Sequence, residues 1–243
     1  MGKLLLEKFQ RSLFINYRRC SLANILSIET SSDALSVALL FNSKEYSFHE
    51  VLPKQHTERL LEVIESLLES AKAKLGSLDA ISASCGPGSF TGIRLACTMV
   101  QGLAFSNKLL GIQVSSLEVL SESIHSKFAA KEVVAIVNAQ MQQLYVGIFS
   151  YLNEGACTSR IELVKIKDFD YSQFGADTYF VGDGCEVIKK KLKSVSKNIY
   201  CKLPNAIDQL SVAVRKFKEG RAVDPQEILP IYLVDEEHWI AGI

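Results

Sequence analysis

The sequence predicts an α/β fold made of two copies of one βββαβαβα unit, the second copy smaller than the first. Short apolar runs of strand length recur along the chain, each closed by polar or glycine-containing turns. Past residue 54 they alternate with longer stretches of helical period, an order that lays helices against a mixed sheet. After Lys131 the strand pattern restarts, with thinner helical material between its strands.

In the first copy, residues 25–30 form an apolar run ending in a carboxylate, and 35–41 and 44–49 follow as strands of a meander. Residues 55–75 place Leu60, Ile64, Leu67 and Ala71 on one side and Glu62, Glu65, Glu69 and Lys72 around the other, an amphipathic helix. A strand at 78–83, a helix at 91–105 and a strand at 109–113 come next. Ser115 and Glu118 then form a capping box that opens another helix. The second copy offers strands at 133–137, 144–149, 161–166 and 178–181, helices at 186–192 and 207–218, and a last extended piece at Tyr232 and Leu233. This divides the chain into a basic extension at 1–23, a first lobe at 24–120 and a smaller lobe at 121–243. In the extension Lys3, Lys8, Arg11, Arg18 and Arg19 face only Glu7, which fits a targeting presequence, an upstream start, or a basic surface helix.

The segment between the strand at 78–83 and the next helix organises the rest. Gly86, Pro87 and Gly88 make a sharp turn before Ser89, Phe90, Thr91, Gly92 and Arg94 at the helix start. Glycines let the main chain approach a ligand or another backbone, and unpaired N–H groups at a helix start favour an anion. Pro87 stiffens the turn. A Walker lysine and dinucleotide spacing are both missing, so tight strand-to-helix packing competes evenly with an anion site.

The run from Gly86 to Arg94 resembles the signature of the bacterial TsaB (YeaZ) family, which takes part in making threonylcarbamoyladenosine in tRNA. Ile25-Leu26-Ser27-Ile28-Glu29-Thr30-Ser31 is similar to that family's opening strand, Gln55 to Leu61 to its first helix and Val114 to Glu118 to the start of its third, with a weaker likeness at Pro230-Ile231-Tyr232-Leu233. The resemblance implies the duplicated architecture of actin, sugar kinases and the Hsp70 ATPase. It also implies a non-catalytic accessory subunit that binds and activates the transferase TsaD, enabling threonylcarbamoylation of adenosine 37 in tRNAs that read codons beginning with adenine. TsaE, an ATPase, would dock on the assembled pair, tRNA would be met only through the complex, and a second copy of the chain could take TsaD's place. The interface implied is a helix bundle built on His56, Leu60, Ile64, Leu67 and Met99, with Gly86, Pro87, Gly88, Ser89, Phe90, Thr91, Gly92 and Arg94 setting the loop and helix geometry.

Bulk properties agree with a cytoplasmic protein of this kind. The chain has 243 residues, 48% of them apolar, enough for one large core or two small ones. Lys plus Arg and Asp plus Glu both number 27, so no global field draws the chain to nucleic acid or to an anionic membrane. Six cysteines, Cys20, Cys85, Cys97, Cys157, Cys185 and Cys201, are scattered with no C-x-x-C pair, as expected of reduced buried thiols.

Candidate chemistry is sparse. Glu29 stands where a nucleotide-binding relative would hold magnesium-bound water, yet Thr30-Ser31-Ser32-Asp33 lacks a glycine to close over phosphate. Gly182-Asp183-Gly184 is a second candidate loop, with a plain turn the simpler reading. Chelation from the first helix needs two imidazoles four residues apart, and here His56 is followed at that step by Leu60. No metal and no cofactor of its own are therefore expected, with nucleotide placed only at the partner contact. Cys85 has no histidine near it in sequence, so strand-end burial outweighs a catalytic thiol. Lys189, Lys190, Lys191, Lys193, Lys197 and Lys202 form a basic run, a solvated face or a tRNA contact. Where family members commonly show Asp-Ala-Arg this chain has Asn138-Ala139-Gln140, and Val234 replaces a usual arginine. The enzyme rivals to the accessory reading are a self-sufficient small-molecule kinase of the same fold and a metallopeptidase.

Overall fold

The computed structural model describes residues 23–151 and 156–233; the N-terminal extension, Val234 and the rest of the C-terminus lie outside them. Two five-stranded sheets share one topology. In the first, β1 (Ile25–Glu29), β2 (Ala34–Phe41) and β3 (Lys44–Val51) form an antiparallel meander, and β4 (Ala80–Ser84) and β5 (Leu110–Val114) continue in parallel from β1. The order is β3-β2-β1-β4-β5. In the second, β6 (Glu132–Gln140), β7 (Gln143–Tyr151) and β8 (Ala156–Lys165) repeat the meander, and β9 (Tyr179–Val181) and β10 (Ile199–Tyr200) repeat the parallel pair beside β6. Read from the β8 side, its order is the first sheet's order strand for strand. Duplication is thus written in the hydrogen bonding.

Helices α1 (His56–Ser70) and α2 (Phe90–Asn107) pack on one face of the first sheet, where Leu60, Val63, Ile64, Leu67, Ile93, Ala96 and Val100 meet Leu26, Ile28, Leu35 and Ile81. Helix α1 ends five residues before the expected 75: Ala71 caps it, Lys72 turns left-handed, and Leu75 belongs to a separate 3-10 turn. Its apolar pattern runs on only because that turn packs on the same core. Helix α3 (Ser116–Phe128) opens on the expected capping box of Ser115 and Glu118. The second lobe keeps a short α4 (Gly184–Leu192) and α5 (Ala206–Lys218), and an aromatic cluster of Phe169, Tyr171 and Phe174 stands where the first lobe has its first helix.

The third helix of each copy crosses to the other lobe. Ala206, Leu210, Val212 and Ala213 of α5 cover Ile25, Ala38, Ala80 and Ile112 of the first sheet, whereas Leu117, Leu120 and Ile124 of α3 pack with Val133, Ala135 and Phe149 of the second. Residue 120, the expected lobe boundary, therefore falls inside a helix buried on several sides, and the segment from 206 onward belongs in space with the first sheet. Lys216, only 8% exposed, clamps the crossing: its Nζ lies 2.6 Å from Glu118 and 3.0 Å from the Gln113 carbonyl. Arg215 adds a 2.9 Å pair to Glu122. Among the described residues no helix is long and apolar enough to cross a membrane.

Candidate functional site

The glycine turn after β4 presses against the end of β1. A Cβ at Gly92 would lie 1.9 Å from the Thr30 carbonyl oxygen, and one at Gly88 would lie 2.3 Å from that of Ser31. Gly86, with φ +106°, touches Ile93 and the Ile231 carbonyl, and the Gly86–Pro87 peptide is cis. Hydrogen bonds finish the contact. The Ser89 N–H donates to the Ser31 carbonyl at 2.7 Å, the Thr30 hydroxyl to the Gly92 carbonyl at 2.7 Å, and the Gly92 N–H to the Ser89 hydroxyl at 3.3 Å. The Ser116 N–H and hydroxyl donate to the carbonyls of Gly86 and Pro87. This decides between the two readings of the loop. Its glycines admit the protein's own backbone, and two N–H groups at the start of α2 already have partners within the chain.

The second lobe repeats the device. A Cβ at Gly182 would come within 2.1 Å of the Ile136 carbonyl, and Asp183 accepts from the Asn138 N–H at 3.1 Å. Between the two turns lies a cleft of about 240 Å³, lined by Ser31, Asp33, Gly88, Asn138, Gln140 and Asp183. It is smaller than the roughly 300–1,000 Å³ usual for small-molecule sites. Two carboxylates face it: burial, with the charge of Asp33, pushes the Asp183 carboxyl above its ordinary range. A polyphosphate would meet like charge there. Of these residues Leu203 and Pro204, which also line the cleft, carry no sequence signal, since they are brought in by the chain crossing to α5.

Glu29, at the position of the catalytic carboxylate in the expected architecture, is fully buried. Its Oε1 accepts from the Ser31 N–H at 2.6 Å; its Oε2 has no partner, and neither has the hydroxyl of Ser84 beside it. Burial pushes this carboxyl up, against the opposing pull of Ser31 and Ser84. It does not reach the cleft surface to order a metal-bound water. Cys85 is equally enclosed, its Sγ 3.7 Å from that of Cys97, and both the neighbouring thiol and burial push its pKa up, the opposite of an activated nucleophile. Among the described residues no group of three His, Cys, Asp or Glu side chains could hold a metal ion.

The helix surface needs correction. Leu60, Ile64 and Leu67 are buried against the chain's own first sheet, and Met99 is half-buried on the same core, so none of the four is an outward contact. An i, i+4, i+7 stripe identifies the face that must be covered, and the sheet covers it. His56 is half-buried, and its Nε2 makes no hydrogen bond, contrary to the local bond expected of it. What faces outward is Leu61 (48% exposed) amid Glu58, Glu62, Glu65 and Glu69 on α1, and Phe90 (56%), Thr91, Arg94, Thr98, Gly102 and Phe105 (74%) on α2. Of the lysine run, Lys189 pairs with Glu186 at 2.7 Å and Lys202 lies 3.6 Å from Asp208, leaving Lys190, Lys191 and Lys193 on the exposed side of α4.

The paired sheets, the crossing helices and the turn at the heart of each copy define a duplicated actin-like ATPase-type fold. The family model for TsaD, tRNA N6-adenosine threonylcarbamoyltransferase, matches residues 48–230. The tRNA threonylcarbamoyladenosine biosynthesis protein TsaB of Haemophilus influenzae is 30% identical over 88% of this chain and 95% of its own length. That of Buchnera aphidicola from Acyrthosiphon pisum is 33% identical over 80% and 90%. The solved structure of YeaZ from Pseudomonas aeruginosa superposes with a TM-score of 0.79 at 30% identity, over 87% of this chain and 100% of that one. The chain belongs to the TsaB (YeaZ) family of tRNA threonylcarbamoyladenosine biosynthesis proteins. A free-standing kinase is not favoured by these likenesses.

Proposed function

We propose that this chain is a non-catalytic subunit of the cytoplasmic machinery for threonylcarbamoyladenosine at position 37 of tRNA, and that it works by docking on TsaD and holding it in its active form. The observation that carries the reading is the occupied site: Thr30 and Ser31 press into Gly88 and Gly92 where a ligand loop would otherwise open, and Glu29 is sealed beneath them. Shape, not reactive groups, is what this lobe offers. Docking uses the outward faces of α1 and α2, with Leu61, Phe90 and Phe105 as apolar contacts. Nucleotide binds, if at all, at the partner contact, TsaE docks on the assembled pair, and tRNA is engaged through the complex. In the absence of TsaD the same faces meet in a second copy.

The test is reconstitution with TsaD and TsaE from the same source. Modification of tRNA should require this chain, Leu61→Glu and Phe105→Glu should abolish both co-purification and modification, and the isolated chain should not turn over ATP. ATP turnover by the lone chain, lost in Glu29→Ala, would instead make it a kinase-like enzyme.

A further inference from the structure

The run from Gly86 to Arg94 is only partly consumed by packing. Gly86, Gly88 and Gly92 receive neighbouring backbone, Ser89 caps α2, and the carbonyls of Gly86 and Pro87 hold Ser116. Phe90 and Arg94 point out of the molecule. The Arg94 guanidinium lies 3.7 Å from the centre of the Phe90 ring, and its Nε donates to the Tyr232 hydroxyl at 2.7 Å. The two rings stand 5.5 Å apart. Tyr232 is held in turn by a strap whose Ile231 N–H donates to the Cys85 carbonyl at 2.8 Å, while Gln101 and Gln113 donate to the carbonyls of Ile228 and Glu227, each at 2.9 Å. No carboxylate among the described residues pairs with Arg94.

We infer that Arg94, stacked on Phe90 and tethered to Tyr232, is a preset receptor for a carboxylate of the docked protein partner. The inference rests on the docking proposed above and names its anchor. An exposed arginine ordinarily loses rotamer freedom on binding; here that ordering is already complete, and the terminal N–H groups stay available for a bidentate acceptor. The surroundings suit a protein. Phe90, Leu229, Ile231 and Tyr232 are 56%, 55%, 42% and 45% exposed, and an arginine among aromatic and aliphatic side chains is the usual make-up of an interface centre. A phosphate backbone fits less well, because Glu58, Glu62, Glu65 and Glu69 line the outward side of α1 on the same face of the sheet.

The experiment measures the affinity of the full chain for TsaD by calorimetry, with denaturation midpoints of the free variants alongside. Arg94→Glu should weaken binding on the order of 100-fold. Arg94→Lys should weaken it about 10-fold, because an ammonium lacks the planar fork. Both should leave the free chain's midpoint unchanged, since the side chain is exposed and a carboxylate near the start of α2 is tolerated by the helix dipole. Binding by Arg94→Glu within about threefold of the parent overturns the anchor while leaving the docking reading intact. A parent chain that ignores TsaD overturns both. Unaltered protein affinity with reduced crosslinking of tRNA to the complex would assign Arg94 to phosphate and refute the carboxylate. The chain's own Asp235, Glu236 and Glu237 follow Tyr232 closely in sequence. Changing all three to their amides should leave affinity unaltered, and tighter binding would show that the tail itself fills the receptor, which also refutes the inference.

Discussion

Replacing Gly92 by alanine isolates the close approach on which the first lobe turns. The residue sits in the first turn of α2 with no positive φ, so the backbone itself accepts alanine. The added Cβ would lie 1.9 Å from the Thr30 oxygen, inside the 3.0 Å that real contacts respect, so strand end and helix must part by at least 1.1 Å. That movement stretches the Thr30 hydroxyl bond to Gly92 and the Ser89 N–H bond to Ser31, each now 2.7 Å. Two such bonds contribute about 1 kcal/mol each. Overpacking adds roughly 1–3 kcal/mol, and the better helix propensity of alanine returns about 1 kcal/mol. The net expectation is a loss of about 2–4 kcal/mol, read in urea as a lower midpoint at unchanged slope. Gly102, ten residues along the same helix, has nothing within 4 Å of the equivalent Cβ. Gly102→Ala should therefore stabilise the free chain by up to about 1 kcal/mol. Equal effects at the two glycines would refute the packing account of the loop.

Three further outcomes follow from particular contacts. Leu67→Glu should unfold or severely destabilise the free chain, by about 3 kcal/mol or more, whereas Leu61→Glu should shift the denaturation midpoint little; the reverse order would mean the helix is turned the other way. Glu29→Gln should stabilise the chain at neutral pH. With its folded pKa raised, the carboxyl keeps a proton that the unfolded chain releases, so wild-type stability falls as pH rises above about 4.5, with a slope of at most about 1.4 kcal/mol per pH unit; denaturation from pH 5 to 8 should show that slope vanish in the variant. Lys216→Ala should cost about 3–5 kcal/mol, because Glu118 is left under cover without its cation; a loss under about 1 kcal/mol would show the helix crossing to rest on apolar contact alone.

Local rules reached far along this chain. Strand-length apolar runs, the Ser115–Glu118 box and the turn before α2 were all legible because each is decided within a few residues. The candidate site was legible in part: the run from Gly86 to Arg94 could be located, but not what its glycines admit. Thr30 and Ser31 lie more than fifty residues away and approach only through parallel pairing of β1 with β4. The outward face of α1 was misassigned because amphipathicity names a face to be covered without naming its cover. Tyr232 gave no signal of contact with Arg94, since the two are 138 residues apart and meet through the strap held by Gln101 and Gln113.

The crossing of α5 has a consequence for the order of events at the ribosome. The first sheet is complete in sequence by Val114, yet its second face, with Ile25, Ala38, Ala80 and Ile112, stays bare until residues 206–213 have been made. Emerging N-terminal to C-terminal, the nascent protein must carry that greasy surface through synthesis of nearly the whole second lobe. A polypeptide stopped after Tyr200 would thus be a client for chaperones or proteolysis, so the two halves have to be inherited, expressed and degraded as one piece.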